Sequence, residues 1–168
     1  MTAERGGRIG RRPQPLRGRV VLLVGAGDPV AQALALRLTA YGAAIVVAGP
    51  QLPAVLTTAG LAAASGATAR VVEEASPPLL GTALLAAARQ ALAAPTDVVV
   101  AAAAFSSPTA AEDALRPLAA AVAPGGEALL LDAKPAGGTK SCADAAAARF
   151  LTRAAADPSS VPGPGRDG

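Results

Sequence analysis

Apolar and polar positions alternate along this chain on the scale of whole elements rather than single residues. Short runs rich in valine and leucine, almost free of polar residues, are followed by longer alanine- and leucine-rich segments, with glycine or proline at most junctions. Brief apolar runs bounded by turn residues read as strands covered on both faces, and the longer segments between them read as the covering helices. Strands are expected at Arg19 to Val24, Ala44 to Ala48, Ala69 to Glu73, Val98 to Ala102 and Ala128 to Leu131. Helices are expected at Pro29 to Tyr41, Gln51 to Ser65, Pro78 to Ala93, Pro108 to Ala123 and Ser141 to Ala156. In the first helix Val30, Leu34, Leu38 and Tyr41 fall on one face and Gly42 closes it, while Gly66 closes the second. Pro117 is expected to kink or split the fourth helix. Repeated strand-helix units of this kind predict one α/β domain, with a Rossmann-like, doubly wound, mostly parallel five-stranded sheet in the order 3-2-1-4-5.

Composition narrows the chemistry. With 168 residues, 52% hydrophobic and 16% charged, the chain has the length of one domain and enough apolar material to fill a core. Histidine is absent and cysteine occurs once, which removes Ser-His-Asp and Cys-His catalysis, histidine-based zinc sites and any internal disulfide, and no metal is expected.

The net charge of +3 is unevenly spread: Arg5, Arg8, Arg11, Arg12, Arg17 and Arg19 against Glu4 give +5 for residues 1 to 19 and leave −2 for the rest. Residues 1 to 15 are therefore expected to form a disordered basic arm, 16 to 156 the folded domain and 157 to 168 a flexible tail. No aromatic residue interleaves with the arm, so specific nucleic-acid binding is not expected. The arm followed by Val20 to Val24 also admits a signal-peptide reading, with cleavage at Ala31-Gln32-Ala33 or Ala33-Leu34-Ala35. Asp28 and Pro29 interrupt that apolar region, and the expectation is a cytoplasmic protein without a membrane span.

The most informative stretch is Val20 through Ala31, where a buried strand ends in Gly25-Ala26-Gly27 and a helix follows. Glycines allow a tight turn there, and the free amides at a helix start face any anion above it, the position at which a dinucleotide pyrophosphate binds. Against the Gly-x-Gly-x-x-Gly fingerprint the match is two of three, because Val30 stands for the last glycine. A strand followed by Gly-Ala-Gly also suits adenosylmethionine and a methyltransferase-like domain, although the acidic residue expected after the second strand is missing at Gly49.

The chain resembles the short-chain dehydrogenases/reductases over about residues 16 to 156. The resemblance is carried by Leu16-Arg17-Gly18-Arg19, the strand, Val24-Gly25-x-x-x-Pro29-x-Ala31 and Gly42-Ala43. It continues in Glu74-Ala75-Ser76, in Asp97-Val98-Val99-Val100-Ala101-Ala102-Ala103-Ala104 and in Leu151-Thr152-Arg153. It implies an NAD or NADP site built from Gly25, Gly27, Asp28, Val30, Gly49, Glu74 and Ala101, and a possible homo- or hetero-oligomer with a related dehydrogenase. The departures imply impaired chemistry. The family's Tyr-x-x-x-Lys pair falls on Ser141 and Ala145, and a serine hydroxyl without a base cannot replace a phenol as proton donor. Asp132-Ala133 stands where the family's serine pair follows the fifth strand, and only 40 residues separate Ala101 from Ser141. Pro29 lacks an amide hydrogen, and Asp28, a good N-cap, would set a carboxylate where a pyrophosphate belongs. Gly49 and Pro50 occupy the places that distinguish NAD from NADP, so affinity for either is expected to be weak or lost.

Three readings of function follow. The chain is a catalytically impaired relative acting as a regulatory or scaffolding partner, an active NAD(P)-dependent oxidoreductase using other groups, or the methyltransferase-like domain. Tyr41, at the end of the first helix, is placed far from the chemistry. The adjacent Glu73 and Glu74 read as a solvated pair, and Lys134 and Lys140 as charges on a flexible loop. Cys142 is expected at a helix start, where a thiol could ionise more readily.

Overall fold

The computed structural model describes residues 13–49, 51–73, 82–93, 97–122, 126–132, 134 and 136–156. Residues 1–12 of the expected arm, the tail from 157, Pro50 and Glu74-Ala75-Ser76 lie outside the described residues. The chain runs β1 (Val20–Val24), α1 (Pro29–Ala40), β2 (Ala44–Gly49), α2 (Leu52–Ala64), β3 (Ala69–Glu73), α3 (Thr82–Leu92), β4 (Asp97–Ala101), a single 3₁₀ turn (Ala102–Ala104), α4 (Pro108–Ala121), β5 (Ala128–Leu131) and α5 (Gly138–Ala156). The five strands form one sheet in the order β3-β2-β1-β4-β5, and every neighbouring pair is parallel. This is the Rossmann-like α/β fold and strand order expected from the pattern.

Successive side chains of a strand point to opposite faces, and here both faces are covered. Val21 and Leu23 of β1, Ile45 and Val47 of β2, and Val99 and Ala101 of β4 join the core beneath α1, α2 and α5. The alternate residues Leu22, Val24, Val46, Ala48, Val98 and Val100 join the core beneath α3 and α4. Continuous apolar runs are the sequence signature of that double burial. α5 lies against α1 through Ala143, Ala146, Ala147 and Ala154, with Phe150 the bulkiest fully buried side chain, while Arg37 of α1 pairs with Asp144 of α5. The Arg37 hydrogen bond holds the exposed Asp144 carboxyl below the usual carboxylate range.

Several boundaries differ from expectation. Arg19 and Ala102 fall outside the strands, whereas Asp97 and Gly49 fall inside them. Gly49 sits in a close approach, since a Cβ there would lie 3.3 Å from the Gly25 Cα and 3.1 Å from a Val55 methyl. α5 begins at Gly138 rather than Ser141, so Thr139 and Lys140 are helical and not on a flexible loop. The reason is Gly138 itself, whose φ of +81° turns the chain into the helix where the sequence pattern reads a breaker. Pro117 does not split α4, which runs on to Ala121.

Leu16 is buried to 1% exposure, and its amide donates to the Tyr41 carbonyl at 3.0 Å, so the core takes in the residue at which the domain was expected to begin. At the amino ends of the strands, Asp97 is fully buried. It accepts the Glu127 amide at 2.8 Å and faces Arg19 at 3.4 Å and Arg153 at 4.0 Å. Glu127 in turn meets Arg149 and Arg153 of α5. This group clasps the last helix to β1, β4 and β5.

Candidate functional site

At the carboxyl ends of β1 and β4, where the winding direction of the sheet reverses, lies a cleft of about 210 Å³. Open α/β sheets bind ligands at this switch point. Gly25, Gly27, Asp28 and Pro29 of the β1–α1 turn, Gln51 before α2, and Ala103 and Ala104 after β4 line it. The volume is below the roughly 300–1,000 Å³ of pockets that enclose a whole ligand.

The turn is a closed hydrogen-bonded unit. Gly25 has φ +81°, and its amide and that of Ala26 both donate to the Ala48 carbonyl, at 2.7 and 3.1 Å. The Asp28 amide donates back to the Gly25 carbonyl at 3.0 Å. Asp28 caps α1: its Oδ1 accepts the amides of Val30 at 2.9 Å and Ala31 at 3.3 Å. Pro29 has no amide hydrogen, and Gln32 donates to the Asp28 carbonyl at 2.9 Å. From Gly25 to Gln32 the Gly27 amide is thus the one backbone donor without a partner among the described residues. A pyrophosphate needs several such donors and a positive helix end, and the Asp28 carboxylate already takes two amides there. These residues do not fit a tightly held NAD(P) pyrophosphate.

The structure brings Gly25, Gly27 and Asp28 to the cleft and leaves other expected site residues off its surface. The Val30 side chain is buried in the core beneath α1, and Ala101 is buried under the turn with its Cβ against Gly25. Gly49 packs beneath the turn rather than lining the cleft, and Glu74 lies outside the described residues. Ser141 and Ala145 are both exposed on α5 and neither lines the cleft. Ala103 and Ala104 close the Asp97–Ala104 stretch that carries the resemblance, but neither they nor Gln51 were expected at the site. All three reach the cleft because the topology sets the start of α2 and the end of β4 beside the turn.

Cys142 departs from its expected character. It lies within α5, half-buried rather than at the helix start, and its pKa is raised above the ordinary thiol value. Burial is the main cause, and the carboxylates of Asp132 and Asp28 add to it. The protonated form is therefore favoured around neutral pH, the opposite of an activated thiol. Iodoacetamide is expected to label Cys142 more slowly in the folded protein than in urea, with its pH profile displaced to the alkaline side. Equal rates in the two states would contradict this environment.

No family model matches the sequence, nor does any curated protein. Among solved structures, the chain is similar to a short-chain type dehydrogenase/reductase from Mycobacterium marinum, at 22% identity and a TM-score of 0.45 over 52% of this chain and 36% of that one. It is also similar to an NAD+-bound xylitol dehydrogenase, at 23% identity and a TM-score of 0.45 over 50% of this chain and 33% of that one. The chain spans about a third of the length of each of these two structures.

Proposed function

We propose that this chain is a short-chain-dehydrogenase-like protein of the nucleotide-binding fold, with impaired catalysis and NAD or NADP affinity weak or lost, acting as a regulatory or scaffolding partner. The observation that carries this reading is the self-satisfied turn, in which one amide of the whole β1–α1 connection is left for a ligand. The exposed Ser141 and Ala145 supply neither a phenol nor an ammonium for proton transfer. The partner in this reading is a second copy or a related dehydrogenase, in the cytoplasm. Among the described residues no helix is long and apolar enough to cross a membrane.

The test is a titration of the full chain with NADH, NADPH and adenosylmethionine, together with assays on alcohol and ketone substrates. No turnover above background is expected. Asp28→Ser with Pro29→Gly removes the competing carboxylate and returns an amide to the helix start. Each hydrogen bond gained by a charged group contributes about 1.5–3 kcal/mol, so NADH binding is expected to tighten by about tenfold or more. An unchanged affinity in the double variant, or robust turnover by the wild type, would contradict the reading.

A further inference from the structure

We propose that the basic pole at the amino ends of the strands is a docking surface for double-stranded nucleic acid, held through its phosphates without regard to base sequence. This goes beyond the reading of the cleft at the carboxyl ends and does not depend on it.

The charge of the domain is divided between its two ends. Arg17 and Arg19 precede β1, and Arg70 is the second residue of β3. The helices α3 and α5 run back to the same end, where they carry Arg89, Arg149 and Arg153. Six of the eight arginines among the described residues therefore gather at the amino ends, and the carboxylates that face them there are Asp97 and Glu127. Both lysines, Lys134 and Lys140, lie beyond β5 at the opposite end, with Asp28 and Asp132.

Fold-keeping duties account for part of this group. Arg89 and Arg153 lie in last helical turns, where a cation opposes the negative end of the helix, and Arg19, Arg149 and Arg153 serve the clasp around Asp97 and Glu127. Arg17 and Arg70 do neither. Both are exposed and off the helices, and neither meets a carboxylate among the described residues. Arg149 serves the clasp while its side chain stays 58% exposed.

The chain that precedes the fold adds to the same pole. Leu16 donates its amide to Tyr41 at the end of α1, so the chain enters here, and residues 1–12 bring Arg5, Arg8, Arg11 and Arg12 against Glu4. Six arginines against two carboxylates leave +4, the arm adds +3, and residues 157–168, which follow α5 at this end, subtract one through Asp157 and Asp167 against Arg166. A surface of +6 made of arginine alone suits phosphate, whose oxygens match the guanidinium fork. It is also broad. From β3, which carries Arg70, to β5, beside which Arg149 holds Glu127, there are four strand spacings, or about 19 Å, enough to meet several phosphates of a duplex. The arm has no aromatic residue for stacking on unpaired bases, which leaves the backbone of a duplex as its match. A bilayer matches less well, because firm binding there takes an apolar anchor beside the charge, and the exposed Leu52 and Leu56 stand at the opposite end, on the first turns of α2.

The experiment is fluorescence anisotropy of a labelled random-sequence DNA duplex titrated with the full chain. Between about 50 and 200 mM salt the affinity is expected to fall about 10²–10³-fold, the dependence of about five phosphate contacts. Arg17→Gln and Arg70→Gln are each expected to lower the slope of log affinity against log salt by about one, and the pair to weaken binding about tenfold in low salt. Glutamine at Arg5, Arg8, Arg11 and Arg12 together is expected to lower the slope by about three. Lys134→Gln with Lys140→Gln removes two charges from the opposite end and is expected to change neither affinity nor slope. Circular dichroism confirms that each variant is folded. No binding in low salt, an affinity indifferent to salt, equal losses from the lysine and the Arg17 and Arg70 pairs, or a loss confined to the arm variant would overturn the proposal. Vesicles of phosphatidylcholine and phosphatidylserine bound more tightly than the duplex would overturn it in favour of a membrane surface.

Discussion

Replacing Asp97 with alanine is expected to destabilise the domain by about 3–5 kcal/mol, the cost of breaking a buried ion pair by removing one partner. Its side chain is fully buried, and it serves both as acceptor for the Glu127 amide and as the anion facing Arg19 and Arg153. Deleting it leaves a partly buried amide without its acceptor and removes the buried anion that faces Arg19 and Arg153, while Arg153 keeps its contact with Glu127. Asp97→Asn keeps an oxygen for the Glu127 amide and loses only the charge, so a smaller loss of about 1–3 kcal/mol is expected. Urea unfolding of the three proteins measures this. Asp97→Ala within about 0.5 kcal/mol of wild type, the range of ordinary surface substitutions, would show the clasp to be ornamental.

The second large effect is expected at Gly25, and Gly18 supplies its internal control. Both have positive φ, +81° and +83°, so alanine at either position meets the left-handed penalty of about 1–2 kcal/mol. The space around them differs. A Cβ on Gly18 meets nothing within 4 Å, whereas one on Gly25 would lie 2.7 Å from the Ala104 Cβ and 3.2 Å from the Ala101 carbonyl oxygen. The displacement adds an overpacking cost of about 1–3 kcal/mol, for a total of about 2–5 kcal/mol at Gly25. It also pushes Ala104 out of the cleft wall. Equal losses in Gly18→Ala and Gly25→Ala would show that the turn has room the geometry denies it.

The sheet was legible in the sequence because strands buried on both faces leave unbroken runs, as in Val20 to Val24, and a parallel order follows once helices separate them. The start of α5 was not legible, because Gly137-Gly138 reads as a break while the fold uses Gly138 as an entry. At the candidate site, Gly25, Gly27 and Asp28 announced themselves through spacing and capping chemistry. Gln51 was not named there, and Ala103 and Ala104 were legible only as the end of the Asp97–Ala104 stretch, since it is the packing of β4 beside β1 that makes those alanines a wall. The clasp escaped for another reason. Arg19 and Asp97 stand 78 positions apart, and no periodicity connects them. Their pairing exists only after the sheet has placed β1 beside β4. Arg19, which contributes to the positive charge of the first 19 residues, is part of the domain's electrostatics.

The return of α5 onto α1 has a consequence for how the chain is made. Arg37 and Asp144 meet across 107 positions, and Phe150 fills a core whose other members begin at Leu16. On a ribosome, α1 and the first strands emerge long before the helix that covers them, so their shared apolar side stays wet until the segment ending at Ala156 has cleared the exit tunnel. Contacts this remote make closure slow. Nascent chains stalled before α5 should therefore be digested by protease, and those stalled well beyond it should resist.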